Sequence, residues 1–184
     1  MVVKDGKIGF ARFFDKESRM IAILAQYNLE FEEEWTMTLG DITPGKPLSG
    51  LAFAEALDNG FFITGRVPGN FGTDIEVQKT DSTGIVIWET TFGNTWINEA
   101  VWAITAAEDG GCVVVYNIDN FERRVQKISS QGDLEWDFYI NEGSISFFNF
   151  GNIVTGANGN FYYTGLFRKF AIEEAFVICF SQAG

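Results

Sequence analysis

Asp74-Ile75-Glu76-Val77-Gln78-Lys79-Thr80-Asp81-Ser82-Thr83-Gly84-Ile85-Val86-Ile87-Trp88 and Glu122-Arg123-Arg124-Val125-Gln126-Lys127-Ile128-Ser129-Ser130-Gln131-Gly132-Asp133-Leu134-Glu135-Trp136 are two copies of one pattern. The Val-Gln-Lys run, the turn glycine and the tryptophan coincide without a gap, at an offset of 48 residues. A third copy runs from Ile21 to Trp35, offset by 53, with Phe31 where the glycine stands. A fourth, Phe176 to Gly184, reaches its turn glycine 52 residues after Gly132. Self-similarity at such a period marks a repeat architecture in which each copy is one supersecondary unit.

A second element alternates with the first. It reads Asp58-Asn59-Gly60-Phe61-Phe62-Ile63, then Asp109-Gly110-Gly111-Cys112-Val113-Val114, then Asn158-Gly159-Asn160-Phe161-Tyr162-Tyr163, with a weaker form at Asp5-Gly6-Lys7-Ile8. Asn-Gly and Asp-Gly between apolar runs signal tight hairpin turns, because these residues accept the positive φ such turns demand. Another apolar run precedes three of these elements: Leu51 to Leu57, Val101 to Ala107 and Phe150 to Ala157. Each repeat therefore reads as four short antiparallel strands, A to D. The Met20 to Trp35 stretch, which by itself passes for a helix, becomes a hairpin by alignment. Glu32-Glu33-Glu34 then becomes a solvated acidic strand edge.

Four antiparallel strands recurring every 48 to 53 residues is the blade pattern of a β-propeller. The expected fold is all-β: one unit over residues 1–184 with repeats at about 1–40, 41–93, 94–142 and 143–184, about three and a half blades. Strand A carries small residues (Ala52, Ala54, Ala103, Gly151), as expected near an axis, and strand D carries a tryptophan that belongs between blades. Fourteen strands are expected: four in each middle repeat, three in the first with Met1-Val2-Val3 as a stub of A, and three in the last. That remainder reads first as an excerpt of a longer propeller. A four-bladed ring lacking two strands and a ring shared by two chains are the other arrangements it allows.

Composition excludes several chemistries. The chain has 184 residues, 46% of them hydrophobic and 21% charged, enough to bury a core. It contains no histidine, which removes the Ser-His-Asp triad, the Cys-His pair and His-ligated zinc or haem. A net charge of −12 repels phosphate backbones, so nucleic acid is not an expected partner. No run approaches the roughly 20 apolar residues of a membrane span. The N-terminus lacks the basic start and apolar stretch of a signal peptide, consistent with a cytosolic protein or with a sequence that begins after a leader. Cys112 and Cys179 lie in apolar strands and read as two buried thiols, with a disulfide as the alternative. No Cys-x-x-Cys and no calcium-loop motif is present, and neither a metal nor a cofactor is expected.

The repeats resemble a family of secreted bacterial β-propeller-like repeat proteins. The resemblance is carried by Asp109-Gly110-Gly111-Cys112, by Val77 to Gly93 with its Lys79, Asp81, Gly84 and Trp88, and by Asn98-Glu99-Ala100-Val101-Trp102. It is good in the two middle repeats. It implies a scaffold or binding module without shared catalytic residues, in an extracellular or cell-surface protein. Asp81 to Trp88 is also similar to the blade run of quinoprotein propellers, with a turn one residue shorter. The alternative function is accordingly part of a propeller enzyme, glycan-active or quinone-dependent.

In such a blade the A–B and C–D turns share one face, and they are short and repetitive here. The B–C and D–A connections share the other face and vary between repeats, which is where binding usually resides. The candidate binding residues there are Trp96, Asn98, Glu99, Asp119, Phe121, Phe148 and Phe170. No catalytic set emerges; Asp119 with Glu122 is the nearest thing to a glycosidase acid pair, without evidence of convergence. The expected partner is a protein or glycan, neutral or cationic, and unpaired edge strands invite self-association.

Overall fold

The computed structural model describes the backbone of residues 2–4, 7–16, 19–39, 49–69, 72–93, 99–118, 122–140, 146–169 and 172–183. Side chains are described at 25, 27–34, 36, 52–69, 72–93, 99–118, 122–140, 151–166 and 172–183. The described residues form fifteen strands in four antiparallel sheets, each made of consecutive strands. The first sheet holds β1 (Val2–Lys4), β2 (Lys7–Lys16), β3 (Arg19–Asn28) and β4 (Glu33–Leu39). The second holds β5 (Ser49–Glu55), β6 (Phe61–Pro68), β7 (Thr73–Thr80) and β8 (Val86–Phe92). The third holds β9 (Glu99–Ala106), β10 (Cys112–Ile118), β11 (Glu122–Ile128) and β12 (Leu134–Ile140). The fourth holds β13 (Ser146–Thr155), β14 (Phe161–Lys169) and β15 (Ile172–Phe180). Each sheet falls within one sequence repeat. The Met20 to Trp35 stretch is strand, turn and strand. The expected strand count was one short, because the N-terminal stub pairs with β2 from Val2 opposite Gly9 to Lys4 opposite Lys7.

The turns explain the repeat at atomic level. In β5–β6, β9–β10 and β13–β14 one residue has positive φ: Asn59 (64°), Gly110 (86°) and Gly159 (76°). Ahead of it, the side-chain oxygen of Asp58, Asp109 or Asn158 accepts the amide of Gly60, Gly111 or Asn160. In the C–D turns the positive φ falls on Phe31 (63°), Gly84 (88°) and Gly132 (93°). There Asn28, Asp81 or Ser129 accepts backbone amides through its side chain, at Glu32, at Thr83 and Ile85, and at Gln131 and Asp133. Ser129 thus replaces an aspartate without loss of the turn, since a hydroxyl oxygen fills the same acceptor role. Phe31 is different: a bulky residue in the left-handed region costs about 1–2 kcal/mol.

A four-stranded sheet with apolar residues on both faces must cover both. β10 is buried along its whole length, and its side chains alternate between two cores. Cys112, Val114, Tyr116 and Ile118 meet Phe62, Ile75 and Val77 of the second sheet. Val113, Val115 and Val125 meet Ile153, Phe161, Tyr163 and Phe180 of the fourth. Each fully buried valine or isoleucine contributes about 1.5–3 kcal/mol of transfer free energy. β9 lies against both β5 and β13, so the first strands of successive sheets approach one another.

The tryptophans lock these joints. Trp88 of the second sheet donates its Nε1–H to the Ser130 carbonyl in the turn of the third, at 2.9 Å. Trp136 of the third donates to the Gln182 carbonyl in the turn of the fourth, also at 2.9 Å. Both indoles are half-buried, Trp88 tilted against Phe62 and Trp136 stacked on Phe180. The Trp35 side chain lies outside the described residues.

Two lysines form a second repeated device. Lys79 is buried with its ammonium on Asp58 (2.6 Å) and the Thr80 carbonyl (2.8 Å). Lys127 is buried with its ammonium on Asp109 (2.8 Å), Glu135 (2.9 Å) and the Ile128 carbonyl (3.2 Å). Gly60 and Gly111 make room: a Cβ there would stand 2.5 Å and 2.6 Å from the two ammonium nitrogens. The fourth sheet changes all three positions together, to Cys179, Asn158 and Asn160. Cys179 is therefore exposed, contrary to the expectation of a buried thiol, because nothing among the described residues covers that face of β15. Cys112 is buried, and burial pushes its thiol pKa up. Both thiols are free.

Trp88→Phe should lower the unfolding free energy by about 1–2 kcal/mol in chemical denaturation, because the Ser130 carbonyl loses its donor. Asp109→Asn should cost about 1–3 kcal/mol by weakening the coordination of a buried ammonium, and adding Lys127→Met should recover part of that loss rather than add to it. Partial burial pushes the Asp58 and Asp109 carboxyls up, but hydrogen bonds from the lysines and the glycine amides outweigh it and hold both below the usual range. A depressed folded pKa contributes stability that is present above the unfolded value, about 4, and lost as pH falls through the folded one. Acid titration of stability should thus be shallower in an Asp58→Asn/Asp109→Asn variant than in the parent.

Candidate functional site

Because neighbouring strands run in opposite directions, the tight turns emerge at one end of each sheet and the variable connections at the other. Of the seven candidate residues, Trp96, Asn98, Asp119, Phe121 and Phe170 lie outside the described residues. Phe148 lies in β13 opposite Leu166, beside a register shift before Gly151, and only its backbone is described. Glu99 opens β9 and is 1% exposed, with its carbonyl accepting the Thr73 hydroxyl at 3.0 Å. It does not present an exposed carboxylate, since it stands opposite Ile118 on the face buried against the second sheet.

The described residues at this end include two arginine–aromatic groups that the sequence reading did not single out. Arg123 and Arg124 are consecutive in β11, so they project to opposite faces. Arg123, 2% exposed, lies over the Trp102 ring at 4.7 Å on the side of the fourth sheet. Trp102 in turn donates to Asn117 at 3.2 Å. Tyr163 of the fourth sheet stands beside Arg123; burial pushes its phenol pKa up, against the pull of the guanidinium. Burial likewise pushes the Arg123 pKa down. Arg124, on the other side, donates to Asp137 and lies over Tyr139 at 4.6 Å. Tyr116 is its cross-strand neighbour, with its phenol pushed up by burial. The one sequence signal for these groups was the Arg-Arg pair at a strand start, opposite Tyr116-Asn117.

Arginine supplies a fixed fork of donors and a stacking surface, and it does not exchange protons near neutrality. The arrangement offers fixed cationic donors and stacking surfaces rather than acid–base chemistry. Glu122 opens β11, but its proposed acid partner Asp119 lies outside the described residues. Glu32 and Glu33 are exposed and held locally, by the Asn28 amide at 2.9 Å and the Tyr27 hydroxyl at 3.1 Å, as an acidic strand edge would be. Among the described residues no cluster of three or more acidic or cysteine side chains could hold a metal ion. Among the described residues no helix is long and apolar enough to cross a membrane.

No protein-family model matches the chain, and no curated protein matches it. Among solved structures it is similar in fold to the crystal structure of a protein of unknown function from Bacteroides caccae, with a TM-score of 0.50 and 12% sequence identity. The match covers 88% of this chain and 55% of the other, so the chain spans about half the length of that relative.

Proposed function

We propose that the four sheets are an arc of a β-propeller. It acts as a non-catalytic scaffold or binding module of a secreted or cell-surface protein and takes a protein or glycan partner on the end that carries the variable connections. The observation that carries this reading is how the frame uses its polar groups. At the tight-turn end Asp58, Asp81, Asp109, Ser129, Lys79 and Lys127 are bound to turn amides, turn carbonyls or one another, which leaves that end little to offer a ligand. Consecutive sheets with A strands together and shared cores between faces support the propeller. The extracellular setting rests on the resemblance of the repeats to secreted propeller-like proteins.

The partner surface would then include Trp96, Asn98, Asp119, Phe121, Phe148 and Phe170, whose aromatic bodies and polar tips bury area and fix orientation together. The net charge of −12 favours a neutral or cationic partner. The test is to screen the chain against neutral and basic glycans and surface proteins, then repeat the positive interaction with variants. Alanine at Trp96 and at Phe121 should each weaken binding by about 1 kcal/mol or more, with unfolding curves unchanged. Loss of binding on substitution at Asn59 or Gly110 in a folded protein, with Trp96 and Phe121 indifferent, would move the site to the opposite end.

A further inference from the structure

The last strands of the second and third sheets are outer edges. β8 pairs with β7 and β12 with β11, and among the described residues no strand pairs with the far side of either. Each therefore turns a row of main-chain N–H and C=O groups away from its own sheet. Trp88 covers the turn that leads into β12: a Cβ added at Gly132 would stand 3.1 Å from two atoms of its ring, so the turn position is glycine where an indole must fit. The strand that follows runs on beyond that cover.

β12 is built as an edge that can accept another strand. Past the register shift at its turn end, Trp136 to Ile140 pair regularly with Lys127 to Arg123. The strand holds no lysine, arginine or proline, residues that commonly blunt an edge. Leu134 is 57% exposed and Tyr139 48%. Val86 holds the Leu134 position in the second sheet and is 44% exposed although the third sheet stands behind it, so the exposure belongs to the edge position itself. Two carboxylates on this strand are each half engaged. Asp137 accepts Arg124 through Oδ2, and Glu135 accepts Lys127 through Oε2 at 2.9 Å. Among the described residues Oδ1 of Asp137 and Oε1 of Glu135 accept no hydrogen bond, and both side chains reach solvent. A carboxylate has lone pairs for further donors.

We propose that β12 takes an extended segment of a partner protein as a further strand of the third sheet, and that this segment alternates apolar with basic residues. Main-chain hydrogen bonds to the edge supply affinity, and alternate side chains supply selectivity. Basic side chains take the free oxygens of Asp137 and Glu135, and apolar ones extend the cover over Leu134. A second copy of this chain is a poorer occupant. Glu89, Glu135 and Asp137 are the only charged residues of β8 and β12, so pairing these edges with one another sets like charges opposite. The same acids that admit a basic strand thus keep the edges of two copies apart. This surface is separate from the variable connections and does not depend on the binding end proposed above.

Fluorescence anisotropy of the 184-residue chain with a labelled peptide of alternating valine and lysine, long enough to span β12, tests this. One control peptide alternates valine with glutamate. The other keeps the valine–lysine sequence but is N-methylated throughout, which preserves charge and removes every main-chain donor. The lysine peptide should bind, and both controls should bind about tenfold more weakly or not at all. Amide hydrogen exchange should slow in β12 when the lysine peptide is present. Asp137→Asn should weaken binding about threefold, and Leu134→Lys, which sets a basic side chain on the edge, by more. Should Asp137→Asn lose the far-ultraviolet spectrum of the parent, Leu134→Lys carries the test. Equal binding of the N-methylated peptide would reduce the contact to charge alone and overturn the proposal. So would protection confined to other strands, or variants that bind as the parent does. A chain that reaches twice its mass without peptide, and returns to the chain mass on Leu134→Lys, would give the edge to a second copy instead.

Discussion

A hydrogen bond from an indole nitrogen to a turn carbonyl in the next sheet holds the stack in register. Trp88 reaches Ser130 and Trp136 reaches Gln182, across sequence separations of 42 and 46 residues, and no local interaction could substitute for either. Burial of the apolar faces is larger in total but does not set direction: valine faces slide over one another at little cost. The indole fixes which turn lies under which strand. Much of the sequence pattern follows from this need. The turn must expose a carbonyl, the residue beneath the ring must be glycine, and the strand before the turn must bring apolar residues to the same level.

The buried lysines show a second constraint on the same frame. An ammonium in a sheet interior is tolerated only when carboxylate and carbonyl oxygens replace its water. Asp58 and Asp109 supply the carboxylate while capping their own turns, so one side chain serves both the hairpin and the charge. Gly60 and Gly111 are small because a Cβ there would meet both the lysine ammonium and a backbone carbonyl, that of Thr80 at 2.0 Å or of Ile128 at 2.2 Å. The fourth repeat abandons lysine, aspartate and glycine together. A partial change would leave either a buried charge without its carboxylate or a side chain overlapping an ammonium.

These two devices concentrate the fixed chemistry of the molecule at the tight-turn end. The other end is built differently: there Arg123 and Arg124 stack on Trp102 and Tyr139, and the sequences of the connections differ from repeat to repeat. A rigid repeated frame with one variable end is a general solution for presenting a binding surface, because the surface can change without disturbing the core. The similarity to a longer solved protein of unknown function extends the fold argument without adding a ligand.

The sequence by itself determined the strands, their grouping in fours and the positions of the turns. Those features depend on neighbours in the chain: alternation of apolar residues, side-chain caps such as Asp81 and Ser129, and the glycine or asparagine required at positive φ. Periodicity also placed Trp88 and Trp136 between sheets. Three matters were decided only in the folded molecule. Glu99 reads as a loop-end carboxylate but is buried, because pairing with Ile118 turns it toward the second sheet. Cys112 and Cys179 read alike, yet one is enclosed and the other exposed, because they stand on sheets with different neighbours. Arg123 and Arg124, which the sequence reading did not single out, divide between the two faces of β11. In each case a side chain's surroundings depend on which sheet stacks against it, and that contact joins residues tens of positions apart, beyond the reach of any local pattern.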